Sequence, residues 1–460
     1  MHLCLDRTID AHRFLRDLDR RLRDALYDCP DLSETELLSL TLSVPELACG
    51  NFHALGKDYV YWTRAEAQHA RLGVGRAVTI ETQGQQRFDL LHEAFTNLRA
   101  NWLTLSPDDL SLEPCAFVGF SFDALGQARW HGLANALLFV PDLLLERKGS
   151  TCGLTLSVHS AKRLDAKHVH AHWMQQAQTL VANLLNPPAY PTATGGVHRD
   201  ADERFDHEWL TRAQKALSAI RAGALEKVVL TRRVRVAKAQ PLDLNRVLTW
   251  LEGQYSSCVQ FAVGADDGVL IGASPERLVA LDRGMVNSDA VAGTAVREED
   301  LLRNEKARME QALVVNDIVC ALEPFCADLE VPATPKLLAL PTLQHLWSPI
   351  RGRVKPGVSL LQLAARLHPT PAVGGIPRKE ALAWLEQHGE DWRGWYTGAL
   401  GWLGRDGDGE LSVVLRCAML NARKAELFAG AGIVAGSDPE DELAETERKL
   451  QTMLDALAVA

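Results

Sequence analysis

The last part of the sequence carries acidic and basic side chains at spacings that could hold a metal ion together with an anion. A glycine-rich segment, 429–439, precedes a predicted helix on which Glu442, Glu445 and Lys449 share one face. Backbone N–H groups at such a helix start attract anions, and Ser437 is expected to cap the helix. The pattern favours binding of a divalent cation and an anionic small molecule. A solvated surface helix is the alternative.

Two further residues could act as a base and an acid. Lys227 lies in the alternating run 224–234, which predicts a strand with Lys227 and Val229 on the same face. A lysine that is desolvated or surrounded by cations can serve as a base, and a lysine on a wet sheet face is the alternative. Glu276 follows Pro275, which restricts the backbone and suits a carboxylate that must be aimed. Acids in turns are common, so this position alone is weak evidence.

A third acid, Glu310, lies in a long predicted helix, 298–323. The segment 312–319 of this helix is apolar on nearly every side, which indicates burial. A carboxylate at the edge of a buried segment needs a cation or a hydrogen-bond donor. A local salt bridge to Lys306 or Arg308 is the alternative to a functional role.

The elements that must position these residues read as an α+β fold. Short strand-like runs alternate with helices, and the runs 411–418 and 425–429 look like a hairpin. The segment 186–196, rich in proline and glycine, reads as a surface connection. It divides the chain into an amino-terminal part, 1–202, and a carboxyl-terminal part, 203–460, which contains every candidate residue. We expect helices packed on largely antiparallel sheets.

The composition argues against several classes of protein. The net charge of −10 disfavours nucleic-acid binding. Nine cysteines, an odd number with no C-x-x-C pair, indicate free thiols in a reducing cytoplasm rather than disulfides or a zinc site. The opening residues turn polar at once, and no apolar run reaches the length of about 18 residues that would span a membrane. We therefore expect a cytoplasmic protein with neither a signal peptide nor a membrane span.

Seven segments of the carboxyl-terminal part form a specific set when they are taken in order. They are Lys227–Arg232, Ser274–Leu278, Ala292–Thr294, the helix around Glu310, His368–Gly375, Leu415–Ala418 and Gly430–Lys449. This set closely resembles the chorismate-utilising enzymes over residues of about 205–457, and the isochorismate synthases are the most similar branch of that family. The segment 117–123 is similar to the family's usual lead-in to this region.

The resemblance implies a fold and a metal. The fold is α+β, with large, mainly antiparallel sheets flanked by helices, and both parts of the chain form one compact body. The metal is Mg²⁺: Glu310 and Glu445 match the family's metal carboxylates, and Glu442 lies beside them on the same helix face. Lys227 matches the base that activates water, and Glu276 matches the acid that protonates the departing hydroxyl.

Nine further positions match substrate-binding groups of the family. They are Thr294, His345, Ala372, Val373, Arg416, Gly430, Ala431, Gly432 and Lys449. Arg416, Lys449 and the backbone at 430–432 correspond to the groups that hold the substrate carboxylates. Ala372 and Val373 correspond to positions near the ring or its enolpyruvyl group.

The implied reaction converts chorismate to isochorismate: water attacks C2 while the C4 hydroxyl leaves. Because water is a poor nucleophile and hydroxide a poor leaving group, Lys227 must be neutral and Glu276 protonated when the reaction occurs. Chorismate is then the small-molecule partner, no glutaminase subunit is expected, and the product serves menaquinone or siderophore biosynthesis.

Three alternative activities remain. A salicylate synthase would go on to eliminate pyruvate from isochorismate, but the segment 371–375 is more similar to the synthases that stop earlier. An anthranilate or aminodeoxychorismate synthase subunit would differ from this chain at Lys227. A non-catalytic chorismate-binding subunit is disfavoured because all the candidate catalytic and metal residues are present. The chain departs from the family pattern at Gln311, where a histidine is common, and in the segment 277–309, which is shorter than usual.

Overall fold

The structure is a computed structural model of the 460-residue chain. It describes residues 11–27, 35–45, 55–159, 165–185, 196–199, 203–296, 301–390 and 392–459. All but the last residue of the predicted connection 186–196 lies outside these ranges, as do residues 297–300 of the shortened segment and the opening residues 1–10.

Nine α-helices occur in the described ranges. They are α1 Ala11–Tyr27, α2 Arg87–Ala100, α3 Ala166–Leu185, α4 Glu203–Arg221, α5 Leu244–Gln254, α6 Glu305–Leu322, α7 Leu360–Leu367, α8 Arg378–Gln387 and α9 Pro439–Ala458. Helix α6 was predicted to begin near residue 298, but it begins at Glu305. Its cap is Asn304, whose side-chain oxygen accepts a hydrogen bond from the N–H of Ala307 at 2.9 Å. None of the described helices is both long enough and apolar enough to cross a membrane.

The cap of helix α9 is also one residue away from its predicted position. The carboxylate of Asp438 accepts a hydrogen bond from the N–H of Glu440 at 2.9 Å, and Pro439 occupies the first turn. The predicted cap, Ser437, has a different partner: its hydroxyl donates to the carboxylate of Glu442 at 2.7 Å. Ser437 therefore fixes a carboxylate on the helix face that carries the candidate metal residues.

The described strands form two large sheets and a two-stranded ribbon. In chain order they are β1 Leu37–Ser43, β2 Tyr59–Arg64, β3 His69–Val74, β4 Val78–Thr82, β5 Trp102–Leu105, β6 Cys115–Phe120, β7 Arg129–Trp130, β8 Leu133–Ala134, β9 Ala136–Val140, β10 Leu143–Lys148, β11 Thr151–His159, β12 His198–Arg199, β13 Lys227–Ala237, β14 Val259–Ala265, β15 Gly268–Ser274, β16 Arg277–Asp282, β17 Met285–Val296, β18 Cys326–Glu330, β19 Lys336–Ala339, β20 Leu343–Val354, β21 Gly375–Ile376, β22 Ala399–Gly404, β23 Gly409–Val413, β24 Cys417–Asn421 and β25 Lys424–Val434.

Both sheets combine strands from the two parts of the chain. The larger sheet has the order β12-β13-β25-β24-β15-β14-β2-β3-β10-β11-β1-β5, with β21 also paired to β13. The smaller has the order β18-β20-β17-β16-β23-β22-β6-β9-β4, with β19 paired to β20. The pairings β2–β14 and β6–β22 join the two parts, and every described pairing except β1–β5 is antiparallel. The predicted α+β fold of large, mainly antiparallel sheets is confirmed.

A buried aromatic cluster packs the two sheets against each other. Phe117 of the smaller sheet and Phe261 of the larger sheet belong to it and are almost fully buried. Tyr396 and Phe428 also belong to this cluster and stack with ring centroids 5.2 Å apart. Because Tyr396 and Phe428 also line the candidate site, the inter-sheet core supports that site directly.

The predicted strand over 411–418 is wrong. Strand β23 ends at Val413 in the smaller sheet, and β24 begins at Cys417 in the larger sheet, so the chain passes between the sheets there. Arg416 lies at the crossing with a φ of 46°, in the left-handed region that a continuous strand excludes. The hairpin is formed by β24 and β25 instead.

The glycine-rich turn is also placed differently from the prediction. Gly430 and Gly432 lie inside β25 and pair with Thr231 and Val229 of β13. The turn comes later, at Gly436, which has a φ of 85°. The glycines therefore belong to a strand that passes the site, and they do not form an anion-binding turn at the start of the helix.

Candidate active site

One cavity, which encloses about 700 Å³ including its open mouth, collects most of the predicted residues. Twelve of the fourteen predicted site residues line it: Lys227, Glu276, Thr294, Glu310, His345, Ala372, Val373, Arg416, Gly430, Gly432, Glu445 and Lys449. They come from strands of both sheets, from helices α6 and α9, from the turn between β15 and β16, and from the loops after α7 and β23. Residues separated by up to 222 positions (227 to 449) therefore meet in a single site.

Two predicted residues do not line the cavity. Ala431 lies between two cavity-lining glycines on β25, and because side chains alternate along a strand, its methyl group points to the opposite face. There it packs with Val228 and Leu230 in a separate buried cluster, so any contact of Ala431 with substrate would come from its backbone, as the family resemblance implied. Glu442 is buried beside the cavity, where it forms an ion pair with Lys306 and accepts the hydrogen bond from Ser437.

Lys227 and Glu310 form a buried ion pair. The Lys227 ammonium, whose side chain is 1% exposed, donates to the Glu310 carboxylate at 2.8 Å. Burial tends to raise the pKa of Glu310, but the charge and hydrogen bond of Lys227 outweigh it and lower that pKa. Glu310 thus pairs with neither Lys306 nor Arg308, the local partners considered from the sequence. The neighbour of Lys227 is a carboxylate, where cations were expected.

Gly432 makes this ion pair possible. A Cβ atom at Gly432 would lie 2.6 Å from the Glu310 carboxylate oxygen and 3.0 Å from Cε of Lys227. Both distances are shorter than ordinary van der Waals contact, so a side chain there would displace the pair. The strand period explains why this glycine, and not its neighbour, faces the cavity.

Glu276 is buried and carries a proton near neutral pH. Burial, followed by the negative charge of Asp289, raises its pKa to about 8. Its Oε1 atom has no hydrogen-bond partner among the residues that the structure describes. The backbone N–H of Glu276 donates to the hydroxyl of Ser274 at 3.3 Å, which fixes the turn before the acid. A protonated carboxyl aimed into a cavity can donate a proton to a bound molecule.

A second set of groups in the cavity, centred on Arg416, forms a candidate anion site. Arg416 is buried, and among the described residues no carboxylate lies within ion-pair distance of its guanidinium. It donates to Nε2 of His345 at 2.9 Å, which leaves the ring proton on Nδ1, within 3.2 Å of the Thr294 hydroxyl. Burial and then the charge of Arg416 lower the pKa of His345 well below its usual range, so the ring is neutral. An unpaired buried guanidinium strongly favours a bound anion.

Lys449 lies near this anion site and is held by two acceptors. Its ammonium donates to the carbonyl oxygen of Gly430 at 2.8 Å and to the carboxylate of Glu445 at 2.7 Å. Its carbonyl oxygen also accepts a hydrogen bond from Arg416 at 3.4 Å. Helix α9 and strand β25 therefore fix one wall of the cavity together.

The three candidate metal carboxylates each lie beside an ammonium group. Each forms an ion pair with a lysine: Glu310 with Lys227, Glu442 with Lys306 and Glu445 with Lys449. In this arrangement, no three His, Cys, Asp or Glu side chains of the described ranges are grouped closely enough to bind a metal. Burial and then the charge of Glu445 raise the pKa of Glu442. Carboxylate oxygens under mutual repulsion are suitable donors for Mg²⁺, which would relieve that repulsion.

Gln311 does not approach these carboxylates. Its side-chain amide donates to the carbonyl oxygen of Ala290 and to the hydroxyl of Ser348, each at 3.0 Å. Both acceptors lie on the smaller sheet, on β17 and β20. Gln311, at the position where the family commonly has a histidine, therefore fastens helix α6 to the smaller sheet.

Sequence reasoning missed Tyr396, Thr397 and Phe428, which also line the cavity. Phe428 follows an ordinary strand pattern, so nothing in its sequence context separates it from a core residue. Thr397 has a φ of 61°, which is rare for a β-branched residue, and its carbonyl oxygen accepts a hydrogen bond from His368 at 3.1 Å. Such backbone geometry has no sequence signal.

The family of chorismate binding enzymes matches residues 24–458, nearly the whole chain. This chain belongs to that family. This chorismate-binding enzyme is 37% identical over 415 residues to the salicylate biosynthesis isochorismate synthase of Pseudomonas aeruginosa. The alignment covers 87% of this chain and 84% of the relative.

Two further comparisons cover almost the entire chain. The isochorismate synthase MenF of Bacillus subtilis is 29% identical over 466 residues, which cover 96% of this chain and 98% of the relative. The solved structure of the menaquinone-specific isochorismate synthase MenF of Escherichia coli is 23% identical and superposes with a TM-score of 0.77, covering 98% of this chain and 100% of the other. At that identity, the structural match supports the fold of this family member and not its activity.

Proposed function

We propose that this chain is an isochorismate synthase, an isomerase that converts chorismate to isochorismate. The observation that carries the proposal is that a lysine, a protonated carboxyl and an unpaired buried guanidinium line one cavity. The names and coverage of the relatives at 37% and 29% identity support the same activity.

The anion site supports binding of chorismate, which carries two carboxylates at neutral pH. Arg416 is the group best suited to the first carboxylate, because it is buried and lacks a carboxylate partner among the described residues. Lys449, on the adjoining wall, is suited to neutralise part of the remaining charge. Together they supply the positive charge that a protein of net charge −10 must concentrate locally.

Lys227 and Glu276 are proposed as the base and the acid. To act as a base, the Lys227 ammonium must first release its proton and leave its ion pair with Glu310; the neutral amine then takes a proton from a water molecule as the water oxygen attacks C2 of the ring. The ring double bond shifts, and the C4 hydroxyl leaves as water after it receives the proton of Glu276. One water is consumed and one is released, so the reaction is an isomerisation. The pKa of about 8 keeps Glu276 protonated at neutral pH before the step.

Glu310 and Glu445, with Glu442 beside them, are proposed to hold Mg²⁺. When it is bound, the ion supplies positive charge for a substrate carboxylate and for the protein carboxylates around it. Without a cation, these acids would face an anionic substrate as like charges. Glu310 and Glu445 line the cavity, and each already pairs with a lysine ammonium, which supports a cation-binding role for both.

The proposed reaction stops at isochorismate. Ala372 and Val373 present small apolar side chains to the cavity, and neither can accept the proton whose removal would accompany pyruvate loss.

We further propose that residues 203–460 carry the catalytic region while 1–202 complete its sheets, and that no glutaminase subunit takes part. The free thiols among the described cysteines support the proposed cytoplasmic location.

The test is to incubate the purified protein with chorismate and Mg²⁺ and to identify the products by chromatography. We expect a mixture of chorismate and isochorismate, with pyruvate at background in a lactate-dehydrogenase-coupled assay. A chelator should abolish turnover, and added Mg²⁺ should restore it. Stoichiometric pyruvate without an added lyase would identify a salicylate synthase instead, and full turnover in a verified metal-free sample would contradict the metal assignment.

A further inference from the structure

Behind the cavity lies a buried ion pair, Glu390–Arg393, that the proposed chemistry does not use. Arg393 is 1% exposed, and its guanidinium lies 2.8 Å from the Glu390 carboxylate and over the ring of Phe122. Neither charged residue lines the cavity that holds the candidate catalytic groups. An ion pair this deeply buried is costly unless every donor and acceptor is used.

The remaining donors of Arg393 reach two walls of the active-site cavity. One nitrogen donates to the carbonyl oxygen of Val229 at 2.6 Å, and another donates to the carbonyl oxygen of Val373 at 2.8 Å. Val229 lies two residues after the proposed base, Lys227, on β13, and Val373 is one of the two residues proposed to contact the ring. The planar guanidinium of Arg393 therefore connects strand β13, which carries Lys227, to the Ala372–Val373 wall of the cavity.

Among the described residues, backbone hydrogen bonds also join β13 to the segment 374–376, which follows Val373. The pairs Lys227–Ile376 and Val228–Gly375 connect β13 to β21, and the N–H of Val229 donates to the carbonyl oxygen of Gly374 at 2.8 Å. Arg393 supplies the next connection in the series. Its hydrogen bonds to the carbonyl oxygens of Val229 and Val373 link the two segments one residue beyond the backbone hydrogen bond between Val229 and Gly374.

Glu390 is fastened to the base strand as well. It accepts hydrogen bonds from the N–H of Thr231 at 2.9 Å, from the Thr231 hydroxyl, and from Arg212 at 2.7 Å. The acid therefore anchors Arg393 to β13 and fixes the direction in which the guanidinium points. Lysine cannot replace arginine here, because one ammonium lacks the planar fork that reaches two carbonyl oxygens and a carboxylate together.

We propose that Glu390 and Arg393 are positioning residues, which set the separation between the Lys227 strand and the Ala372–Val373 wall that the isomerisation requires. Misplacement of reacting groups by about 1 Å can cost on the order of 100-fold in rate. The pair should therefore act on turnover more than on substrate affinity, because the carboxylate-binding groups lie on other walls. This inference rests on the proposed function.

The test compares Arg393→Lys with a matched variant, Arg71→Lys. Arg71 also forms a buried ion pair, with Glu146 at 2.8 Å, and its guanidinium packs on Trp402, but it contacts no wall of the cavity. We expect Arg393→Lys to lower kcat about 10- to 100-fold with KM for chorismate within about threefold. Arg71→Lys should lower the melting temperature similarly and leave kcat within about twofold of the wild type.

Equal kcat in the two variants, or a rise in KM alone, would overturn the proposal. If Arg393→Lys does not fold, Thr231→Val serves as the second variant, because it removes one hydrogen bond to Glu390. We expect it to lower kcat about three- to tenfold, which is roughly the effect of losing one hydrogen bond. Wild-type kcat in Thr231→Val would overturn the proposal. Hydrogen exchange keeps this test separate from the proposed function. Amides at 227–231 should exchange faster in Arg393→Lys than in Arg71→Lys even if the wild type forms no isochorismate, and equal exchange would contradict the positioning role.

Discussion

Their different neighbours give Glu276 and Glu310 opposite protonation states, although both are glutamates in one cavity. Glu276 lacks a cationic hydrogen-bond partner among the described residues, and burial raises its pKa to about 8. Burial also acts on Glu310, but the ammonium of Lys227 outweighs it and lowers the pKa of Glu310. One acid is therefore suited to donate a proton and the other to bind a cation, which is the division of roles that the proposed isomerisation requires.

The first prediction concerns the proposed base and acid. Lys227→Ala and Glu276→Gln should each lower kcat by about 10² to 10⁴, the usual contribution of a general base or acid. Both variants should fold and bind chorismate, because neither residue is assigned to the substrate carboxylates. In ¹⁸O-labelled water, the wild type should place one heavy oxygen on C2 of isochorismate. An unlabelled C2 hydroxyl, or near-normal turnover in Lys227→Ala, would rule out Lys227 as the group that activates water.

The second prediction is a pH dependence with a defined sign. The raised pKa means that Glu276 is protonated, and competent as an acid, below about pH 8, and that it loses its proton above that value. The kcat/KM for chorismate, which reports the free enzyme, should therefore fall as the pH rises through about 8. Asp289→Asn removes a negative charge that contributes to the shift, while its oxygen can still accept from Trp347. This variant should move the fall in kcat/KM to lower pH; an unmoved profile would contradict the assignment.

Residue types could be predicted more fully than residue partners. The motifs around Lys227 and Glu276 identified two residues that do meet in one cavity. The partner of Glu310 could not be predicted, because nearby Lys306 and Arg308 compete in sequence with a lysine 83 positions away (310 − 227). Only the pairing of strands and the approach of helix α6 decide among them.

At the scale of elements, strand β25 determines how closely the two sides of the site can approach. Its glycines at 430 and 432 recur with the period of a strand, so both face the cavity. They were predicted as a turn because glycine is a common turn residue. The pairing with β13, which gives them their place in the sheet, involves residues roughly 200 positions earlier.

The third prediction tests this close approach. Gly432→Ala places a methyl group 2.6 Å from the Glu310 carboxylate, so the Lys227–Glu310 pair must shift. We expect kcat to fall at least about 10-fold, with a loss of stability of about 1–3 kcal/mol from overpacking. The control is Gly253→Ala in helix α5, where nothing lies within 4 Å and alanine favours the helix. Normal turnover in Gly432→Ala would show that the pair tolerates displacement.

At the scale of the whole molecule, neither large sheet belongs to one part of the chain. Strand β14 pairs with β2 in the larger sheet, and β22 pairs with β6 in the smaller sheet. The predicted division at 202/203 is therefore useful for locating the candidate residues, all of which follow it, but the sheets continue across it. Alternation of apolar residues predicted strands and their faces. It could not predict which strands pair, because partners such as β2 and β14 are about 200 residues apart and their side-chain patterns fit many neighbours.

The fourth prediction follows from this sharing. Residues 203–460 expressed alone should be insoluble or unfold without a cooperative transition, because β14 and β22 lose their neighbours and expose apolar faces. Co-expression with residues 1–202 should recover soluble protein and isochorismate formation. A soluble 203–460 fragment that turns over chorismate by itself would contradict a requirement for the amino-terminal strands.

The pairing of β13 with β25 also has a consequence during translation. The register joins Lys227 to Val434, and a ribosome that adds about 5–20 residues per second makes the second roughly 10–40 s after the first. Through that interval the strand that carries Lys227 lacks this partner, and the backbone N–H and C=O groups along that edge stay unpaired on the nascent chain. A newly made chain is therefore exposed to aggregation at the very strand on which its proposed chemistry depends. Expression at lower temperature or with added chaperones should raise the soluble yield without changing the specific activity of the folded protein.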